Sequence, residues 1–247
     1  MEPSDRADRL CSRVLEEVEE TIKSILGKLR RPGTDGSTLL DIGCWDGAHT
    51  LTRAQALGAD RLLGVEVYEG PATVAGDRGI DVAEIDLETE PLPFADGSVD
   101  VVVCNQVLEH LKNIWLPMSE MHRVLRVGGH ALLSVPNLGS LHNRVLLALG
   151  RQPTSIRVFG PHVRGYTLSE FSGLVECGGG YEIERRLGVG FYPIPSPWSR
   201  PLSRLWAGAS HTFVVQARKA SARPMLGEYL GDPSVEAQTF YGSPGDA

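Results

Sequence analysis

Short apolar runs alternate with stretches of helical spacing through most of this chain. The first five runs are Thr38–Ile42, Arg61–Val67, Asp81–Ile85, Val99–Cys104 and His130–Val135. Runs of this length suit strands that are buried on both faces of a sheet. Helical spacing follows Gly47 and Gly70 and fills Trp115–Leu125. The pattern predicts an α/β fold with a doubly wound, mainly parallel, Rossmann-like sheet and helices on both faces.

Two later runs, Tyr181–Leu187 and His211–Ala217, complete a predicted seven-stranded sheet. They lie close together in the sequence, which favours an antiparallel pair and an antiparallel edge strand. Gly128 and Gly129 follow the third helical stretch, and we expect them to end that helix because glycine favours helix C-termini.

The predicted domain organisation is one large domain with a flanking segment on each side. Apolar residues recur every three or four positions from Arg9 to Leu29, so residues 1–37 are assigned to an amphipathic helix and a linker. Residues 38–219 form the expected domain, with a lid-like insertion at 138–166. Residues 220–247, rich in Ala, Ser, Pro and Gly, are expected to form a flexible C-terminal tail.

The charge and the cysteine content of the chain limit the partners, metal sites and compartments that we expect for it. The 24 basic and 31 acidic residues give a formal charge of -7, which disfavours nucleic acid as a partner. Four widely spaced cysteines without a CxxC pair indicate neither a zinc site nor disulfides, which favours a cytoplasmic protein. No apolar stretch is long enough to span a bilayer, so we expect no association with a membrane.

A glycine turn follows the first predicted strand, in Leu39-Leu40-Asp41-Ile42-Gly43-Cys44-Trp45-Asp46-Gly47. Open α/β sheets bind nucleotides at such turns. The spacing is GxxxG and not the GxGxxG of dinucleotide sites, so a pyrophosphate fits poorly. Asp41 and Asp46 would repel phosphate and attract a sulfonium or an amino group, which favours a cationic cofactor.

Further polar residues end the next predicted strands. Glu66 ends the second strand, where a carboxylate can accept hydrogen bonds from both ribose hydroxyls. Residues 40–47 resemble motif I of the class I S-adenosylmethionine-dependent methyltransferases, and residues 91–110 resemble the small-molecule, type 11-like members. The resemblance implies S-adenosylmethionine as cofactor and S-adenosylhomocysteine as product. It implies these cofactor-binding residues: Asp41, Gly43, Cys44, Trp45, Gly47, Glu66, Val67, Asp86, Leu87, Asn105 and Gln106.

Residues after the fourth and fifth strands bear on the acceptor. The Asn/Asp-Pro-Pro-aromatic signature typical of base-amino methyltransferases is missing, because the chain reads Cys104-Asn105-Gln106-Val107. The Pro-Cys nucleophile of cytosine-C5 enzymes is missing as well, because Asn137 follows the proline. We therefore predict in-line methyl transfer to a small molecule, with a natural-product intermediate of secondary metabolism as the favoured class. The spacing of acidic and histidine residues suggests no metal site, and none is expected.

Histidines are the candidate general bases, since a histidine can take a proton from an acceptor hydroxyl near neutral pH. The catalytic candidates are His162, in a loop that borders the acceptor pocket in similar enzymes, and His110, after the fourth strand. The candidate substrate-binding residues are His142, Arg164, Tyr166 and Tyr192. In the alternative interpretation, Arg164 and Tyr166 only hold the loop.

Thr167 and Glu170 match a capping box at the start of the following helix. The N-terminal helix either covers the site, packs on the sheet or contacts a second subunit, which leaves a homodimer open. Three rival functions remain: a nicotinamide-dependent oxidoreductase, a non-catalytic cofactor-binding regulatory protein, and a modifier of RNA or protein. The glycine spacing opposes the first of these, and the acidic charge opposes RNA.

Overall fold

The computed structural model describes residues 3–30, 36–194 and 198–225, with side chains from residue 12 onward. Its strands are β1 Thr38–Ile42, β2 Arg61–Glu66, β3 Asp81–Glu84, β4 Val99–Asn105, β5 Leu125–Pro136, β6 Tyr181–Val189 and β7 Thr212–Lys219. They form one sheet in the order β3-β2-β1-β4-β5-β7-β6. The predicted doubly wound, seven-stranded α/β sheet is confirmed.

Helices cover both faces of this sheet. They are α1 Pro3–Leu29, α2 Ala48–Leu57, α3 Glu69–Asp77, α4 Trp115–Val124, α5 Leu141–Ala148, α6 Leu168–Glu176 and α7 Ser199–Leu205. Helices α1 and α2 pack against Leu39 and Val101, whereas α4 and α6 pack on the face that carries Leu40 and Val102. Adjacent strand residues face opposite ways because side chains alternate across a strand.

Helix α1 packs along the apolar stripe that its spacing predicts. Val18 and Ile22 are fully buried together with Leu26, in one cluster with Leu39 of β1. Within the part of the chain that is described, none of the helices is long and apolar enough to cross a membrane. The linker residues 31–35 lie outside the described residues.

The antiparallel strand is β7, which pairs with β5 on one side and with the edge strand β6 on the other. It therefore lies one position inside the sheet edge. The expected helix end at Gly128 and Gly129 is wrong, because α4 ends at Val124 and both glycines lie within β5. Gly128 has a φ of 77°, and a Cβ on Gly129 would lie 2.8 Å from the Asp100 carbonyl oxygen. Glycine is needed there because β5 shifts register against β4.

The flanks of the domain are described in part. Beyond β7 the chain continues to Met225, whose side chain is buried in the main core. Residues 226–247 of the predicted tail lie outside the described residues. The predicted insertion at 138–166 contains α5 and a long loop that leads to α6.

Candidate functional site

The loops that leave β1 and β4 diverge at the centre of the sheet. From β1 the chain passes to β2 on one side, and from β4 it passes to β5 on the other. Open α/β sheets bind ligands in the crevice at such a topological switch point. The loop Gly43–Gly47 forms one wall of this crevice and the loop after Asn105 forms the other.

The backbone on both walls adopts left-handed conformations. Gly43 has a φ of 71° and Gly47 a φ of 77°, and the non-glycine residues Trp45 and Gln106 have φ values of 50° and 57°. A Cβ on Gly43 would lie 2.7 Å from Val107 Cγ2, so the two walls are in contact. Left-handed non-glycine residues are uncommon and cluster at functional sites. Each wall of the crevice therefore has one left-handed non-glycine residue, Trp45 on one side and Gln106 on the other.

The Asp41 carboxylate is buried beneath the glycine turn and bound within the protein. Thr50 Oγ1 donates to Asp41 Oδ2 at 2.5 Å, and Arg53 Nη1 donates to Asp41 Oδ1 at 2.6 Å. Arg53 Nη2 also donates to Glu19 Oε2 of α1 at 2.6 Å. Burial alone would lower the pKa of Arg53, but the two carboxylates raise it above its usual value. Arg53 therefore neutralises the charge of Asp41 and the side chain organises the turn, while the role of Asp41 in binding the cofactor stays a prediction.

Two further residues of the turn are also engaged with the protein. The Cys44 side chain is buried with Ala75 and Ile80, and burial is the main reason that the pKa of its thiol rises to about 12. The Cys44 side chain therefore supports the turn from inside, and the contact of this residue with the cofactor stays a prediction. Asp46 Oδ2 lies 2.8 Å from Arg78 Nη1, so the negative charge expected to attract a cation is paired.

Glu66 lies at the carboxyl end of β2, as predicted, and accepts hydrogen bonds from three backbone N–H groups. The Trp45 N–H donates to Oε2 at 3.0 Å, while the N–H groups of Val67 and Tyr68 donate to Oε1 at 2.9 and 3.1 Å. A carboxylate accepts about four hydrogen bonds, so capacity for one more donor remains. The rings of Trp45 and Tyr68 meet edge to face at 6.0 Å, and both side chains are largely exposed.

The remaining cofactor candidates lie on either side of the crevice. Asp86 is exposed after β3, while Leu87 is buried in the main core. Gln106 Nε2 donates to Ser134 Oγ at 3.0 Å. Asn105 Oδ1 is buried and has no hydrogen-bond partner among the described residues. A buried acceptor without a partner needs an explanation, and a donor on a bound ligand supplies one.

The two catalytic candidates, His110 and His162, meet after β4. Their rings lie edge to face with centroids 4.8 Å apart. Glu109 is buried beside them, and its Oε1 lies 3.9 Å from His110 Nε2, which is too long for a hydrogen bond. Neither carboxylate oxygen of Glu109 has a hydrogen-bond partner within the described chain, and burial raises its pKa to about 8. Burial, followed by the proximity of His162, lowers the pKa of His110.

Backbone carbonyls fix the orientation of both rings. His110 Nδ1 lies 3.3 Å from the Pro161 carbonyl oxygen, and His162 Nδ1 lies 2.9 Å from the Ser155 carbonyl oxygen. A carbonyl oxygen only accepts, so each Nδ1 carries the proton and each Nε2 keeps a lone pair. Of the two Nε2 atoms, that of His110 lies 3.9 Å from Glu109 Oε1.

Arg164 and Tyr166 hold the loop that carries His162. Arg164 Nε donates to the carbonyl oxygens of Leu111 and Lys112 at 3.2 and 3.1 Å. The buried Tyr166 hydroxyl donates to the Leu108 carbonyl oxygen at 3.1 Å. These polar groups are bound within the protein, which supports the alternative interpretation that they hold the loop, and their contact with substrate stays a prediction.

The insertion brings the other two substrate candidates together. The rings of His142 on α5 and Tyr192 after β6 lie 4.3 Å apart. The predicted Thr167 cap is present, because Thr167 Oγ1 accepts the Glu170 N–H at 3.3 Å. Sequence reasoning overlooked the buried Asn143, whose Nδ2 donates to the Asn137 carbonyl oxygen at 3.0 Å and which anchors the loop after α5.

Comparison with known proteins shows similarity to methyltransferases over part of the chain. Residues 40–133 match the family model described as "Methyltransferase domain". A probable S-adenosylmethionine-dependent methyltransferase of Mycolicibacterium smegmatis is 38% identical over 158 residues, which are 62% of this chain and 55% of that protein. Over these residues the chain is similar to S-adenosylmethionine-dependent methyltransferases.

Other similarities are consistent with this family. The ubiquinone biosynthesis O-methyltransferase of Pseudomonas paraeruginosa is 32% identical over 115 residues, covering 43% of this chain and 47% of the relative. The crystal structure of an S-adenosylmethionine-dependent methyltransferase from Mesorhizobium loti has a TM-score of 0.56 at 19% identity, covering 82% and 98% of the two chains. This chain thus spans about half the length of the curated relatives named here.

The crevice offers groups that fit S-adenosylmethionine, the cofactor that the similarity to methyltransferases implies. Asn105 Oδ1 has no hydrogen-bond donor among the described residues, and the Glu66 carboxylate can accept one further hydrogen bond. The exposed rings of Trp45 and Tyr68 offer an aromatic surface to a nucleoside. These residues would hold the cofactor, whereas Asp41 and Cys44 shape the turn beneath it.

Proposed function

We propose that this protein transfers the methyl group of S-adenosylmethionine to a small-molecule acceptor by in-line displacement. The observation that carries the proposal is the switch point, where left-handed Trp45 and Gln106 flank the unpartnered Asn105 Oδ1. Strained backbone at a ligand crevice persists only where the surrounding structure holds it, and it is a mark of function.

When bound, the cofactor supplies a methyl group activated on a cationic sulfonium. The protein then has to bind the cofactor and the acceptor, hold them in line and exclude water, because an in-line displacement depends mainly on alignment. In this proposal Glu66 accepts one ribose hydroxyl, Asp86 accepts the adenine amino group, and Trp45 covers the nucleoside.

The insertion at 138–166 supports a small, partly apolar acceptor. Leu147, Leu149 and Phe159 are exposed there, with Phe159 fully exposed, and apolar side chains of this kind line the sites of small molecules. The relative from Pseudomonas paraeruginosa is named an O-methyltransferase, which supports oxygen as the accepting atom. An intermediate of natural-product metabolism that carries a hydroxyl group would supply both the partly apolar surface and the accepting oxygen.

Calorimetric titration of the purified protein with S-adenosylmethionine, S-adenosylhomocysteine and NAD tests the cofactor pocket. We expect saturable binding of the first two ligands only. Glu66→Ala should weaken both, because it removes the ribose acceptor and frees three N–H groups of the surrounding loops. Glu69→Ala is the matched control. Glu69 is exposed and lies three residues after Glu66, so this variant should bind both ligands as the wild type does. Binding of NAD alone would instead establish the oxidoreductase.

Turnover separates an enzyme from a cofactor-binding regulatory protein. Incubation with methyl-labelled S-adenosylmethionine and a panel of hydroxylated small molecules should transfer label to at least one of them. Cofactor binding combined with no transfer to hydroxyl, amine or carbon acceptors would favour the regulatory protein.

A further inference from the structure

We propose that Glu109, His110 and His162 bind one divalent transition-metal cation at the acceptor side of the crevice. One ligand atom from each of the three residues lies within 4.8 Å of the others. Carboxylate oxygen and imidazole nitrogen together suit cations such as Zn²⁺, Fe²⁺ and Co²⁺. Such ligands stand about 2.0–2.2 Å from the metal and therefore about 3.4 Å from one another in a tetrahedral site, so the atoms need to approach one another by at most about 1.4 Å.

The carboxylate of Glu109 gives the first independent argument. It is 1% exposed, yet neither of its oxygens has a hydrogen-bond partner in the described parts of the chain. Burying a carboxylate without a partner is costly, and buried charges in proteins are usually paired or coordinate metals. No Lys or Arg side chain in the described residues forms an ion pair with Glu109, so a bound cation is the missing partner.

The orientation of the two imidazoles gives the second argument. Each Nδ1–H donates to a backbone carbonyl, of Pro161 for His110 and of Ser155 for His162, which leaves each Nε2 available as a ligand. Metal-binding histidines almost always donate their other ring N–H to a carboxylate, carbonyl or water, because this bond fixes the tautomer and the ring orientation. In both His110 and His162, a backbone carbonyl already accepts this hydrogen bond from Nδ1–H.

The loop that carries His162 is anchored directly to the first ligand. The N–H groups of Val163 and Arg164 both donate to the Glu109 carbonyl oxygen, at 2.8 and 3.1 Å. The three ligands therefore move as one unit, although His162 lies far along the chain from the other two. This distance is why the sequence suggested no metal site.

Three protein ligands leave coordination positions open, as in catalytic sites. The His110 side chain is 39% exposed, so the open positions are accessible from the crevice. This last step rests on the proposed function: a bound cation would take an acceptor oxygen as a further ligand and lower the pKa of its hydroxyl. The two histidines then act as ligands and not as free general bases.

The test is titration of tag-free, EDTA-treated protein with Co²⁺, followed by visible absorption and calorimetry in the absence of cofactor and acceptor. We expect one saturable site whose absorption bands indicate nitrogen and oxygen ligands, and displacement of Co²⁺ by Zn²⁺. Glu109→Gln and His162→Asn should each weaken Co²⁺ binding at least tenfold. His49→Ala, which removes an exposed histidine elsewhere, is the control and should leave binding unchanged.

Circular dichroism of each variant establishes that it is folded before binding is compared. His162 is only half-buried, so its replacement keeps the test valid even where Glu109→Gln lowers stability. Absence of a saturable Co²⁺ site in the wild-type protein would overturn the proposal. Equal Co²⁺ affinity of the wild type and both folded variants would do the same. Titration with S-adenosylmethionine in EDTA tests the cofactor pocket separately, so failure of one proposal leaves the other measurable.

Discussion

Replacing Arg53 by methionine leaves two buried carboxylates without their cation. Arg53 is 4% exposed and lies between Glu19 of α1 and Asp41 of β1, both of which are also buried. Methionine keeps much of the apolar stem but cannot donate a hydrogen bond. The change therefore tests whether this ion network fixes α1 and the glycine turn to the sheet.

The expected loss follows from the burial of all three groups. Removing one partner of a buried ion pair costs about 3–5 kcal/mol, because the remaining charge is uncompensated. For a chain of this size each kcal/mol lowers the melting temperature by about 2–4 °C, so we expect a fall of about 6–20 °C. Adding Glu19→Gln to Arg53→Met should recover part of the loss, because it removes one of the two unpaired charges.

Urea denaturation followed by circular dichroism measures the free energy of unfolding. The control is Arg218→Met, which breaks an exposed pair with Glu182 and should cost about 0.2–1 kcal/mol. A loss for Arg53→Met no larger than that of Arg218→Met would refute the reasoning. So would a double variant that is less stable than Arg53→Met alone.

Two further predictions concern pH and the glycine turn. Burial, followed by the nearby charge of Lys219, lowers the pKa of His122 from 6.5 to about 4, so its neutral form stabilises the fold fully above pH 6.5 and less as the pH falls towards 4. The free energy of unfolding should drop by about 2 kcal/mol between pH 7 and pH 5 from this residue, and His122→Gln should reduce the drop; an equal drop in both proteins would contradict the assignment. Gly47→Ala should lose about 2–4 kcal/mol in urea denaturation and weaken S-adenosylmethionine binding, because φ is 77° and the added Cβ clashes with Ile80. Gly76→Ala, where a Cβ meets nothing within 4 Å, should be neutral or stabilising, and equal losses for the two glycines would contradict the role of the turn.

Part of the candidate site was predictable because its signals are local. A strand followed by a glycine turn placed Gly43, Trp45 and Glu66 at one edge of the sheet, since the carboxyl ends of parallel strands share that edge. The roles of Asp41 and Cys44 were not predictable in this way. An acidic residue at a strand end has the same sequence signature whether its carboxylate faces a ligand or a buried arginine.

The sequence by itself determined the order of the strands and helices and the glycine turn after β1, because apolar periodicity and turn residues act over a few neighbouring positions. Only the tertiary structure decided that β7 lies inside the sheet edge and that Arg53 neutralises Asp41. It alone brought His162 against Glu109 and His110. These contacts join residues distant in the chain, and their geometry follows from the packing of the loops on the sheet, which no local pattern encodes.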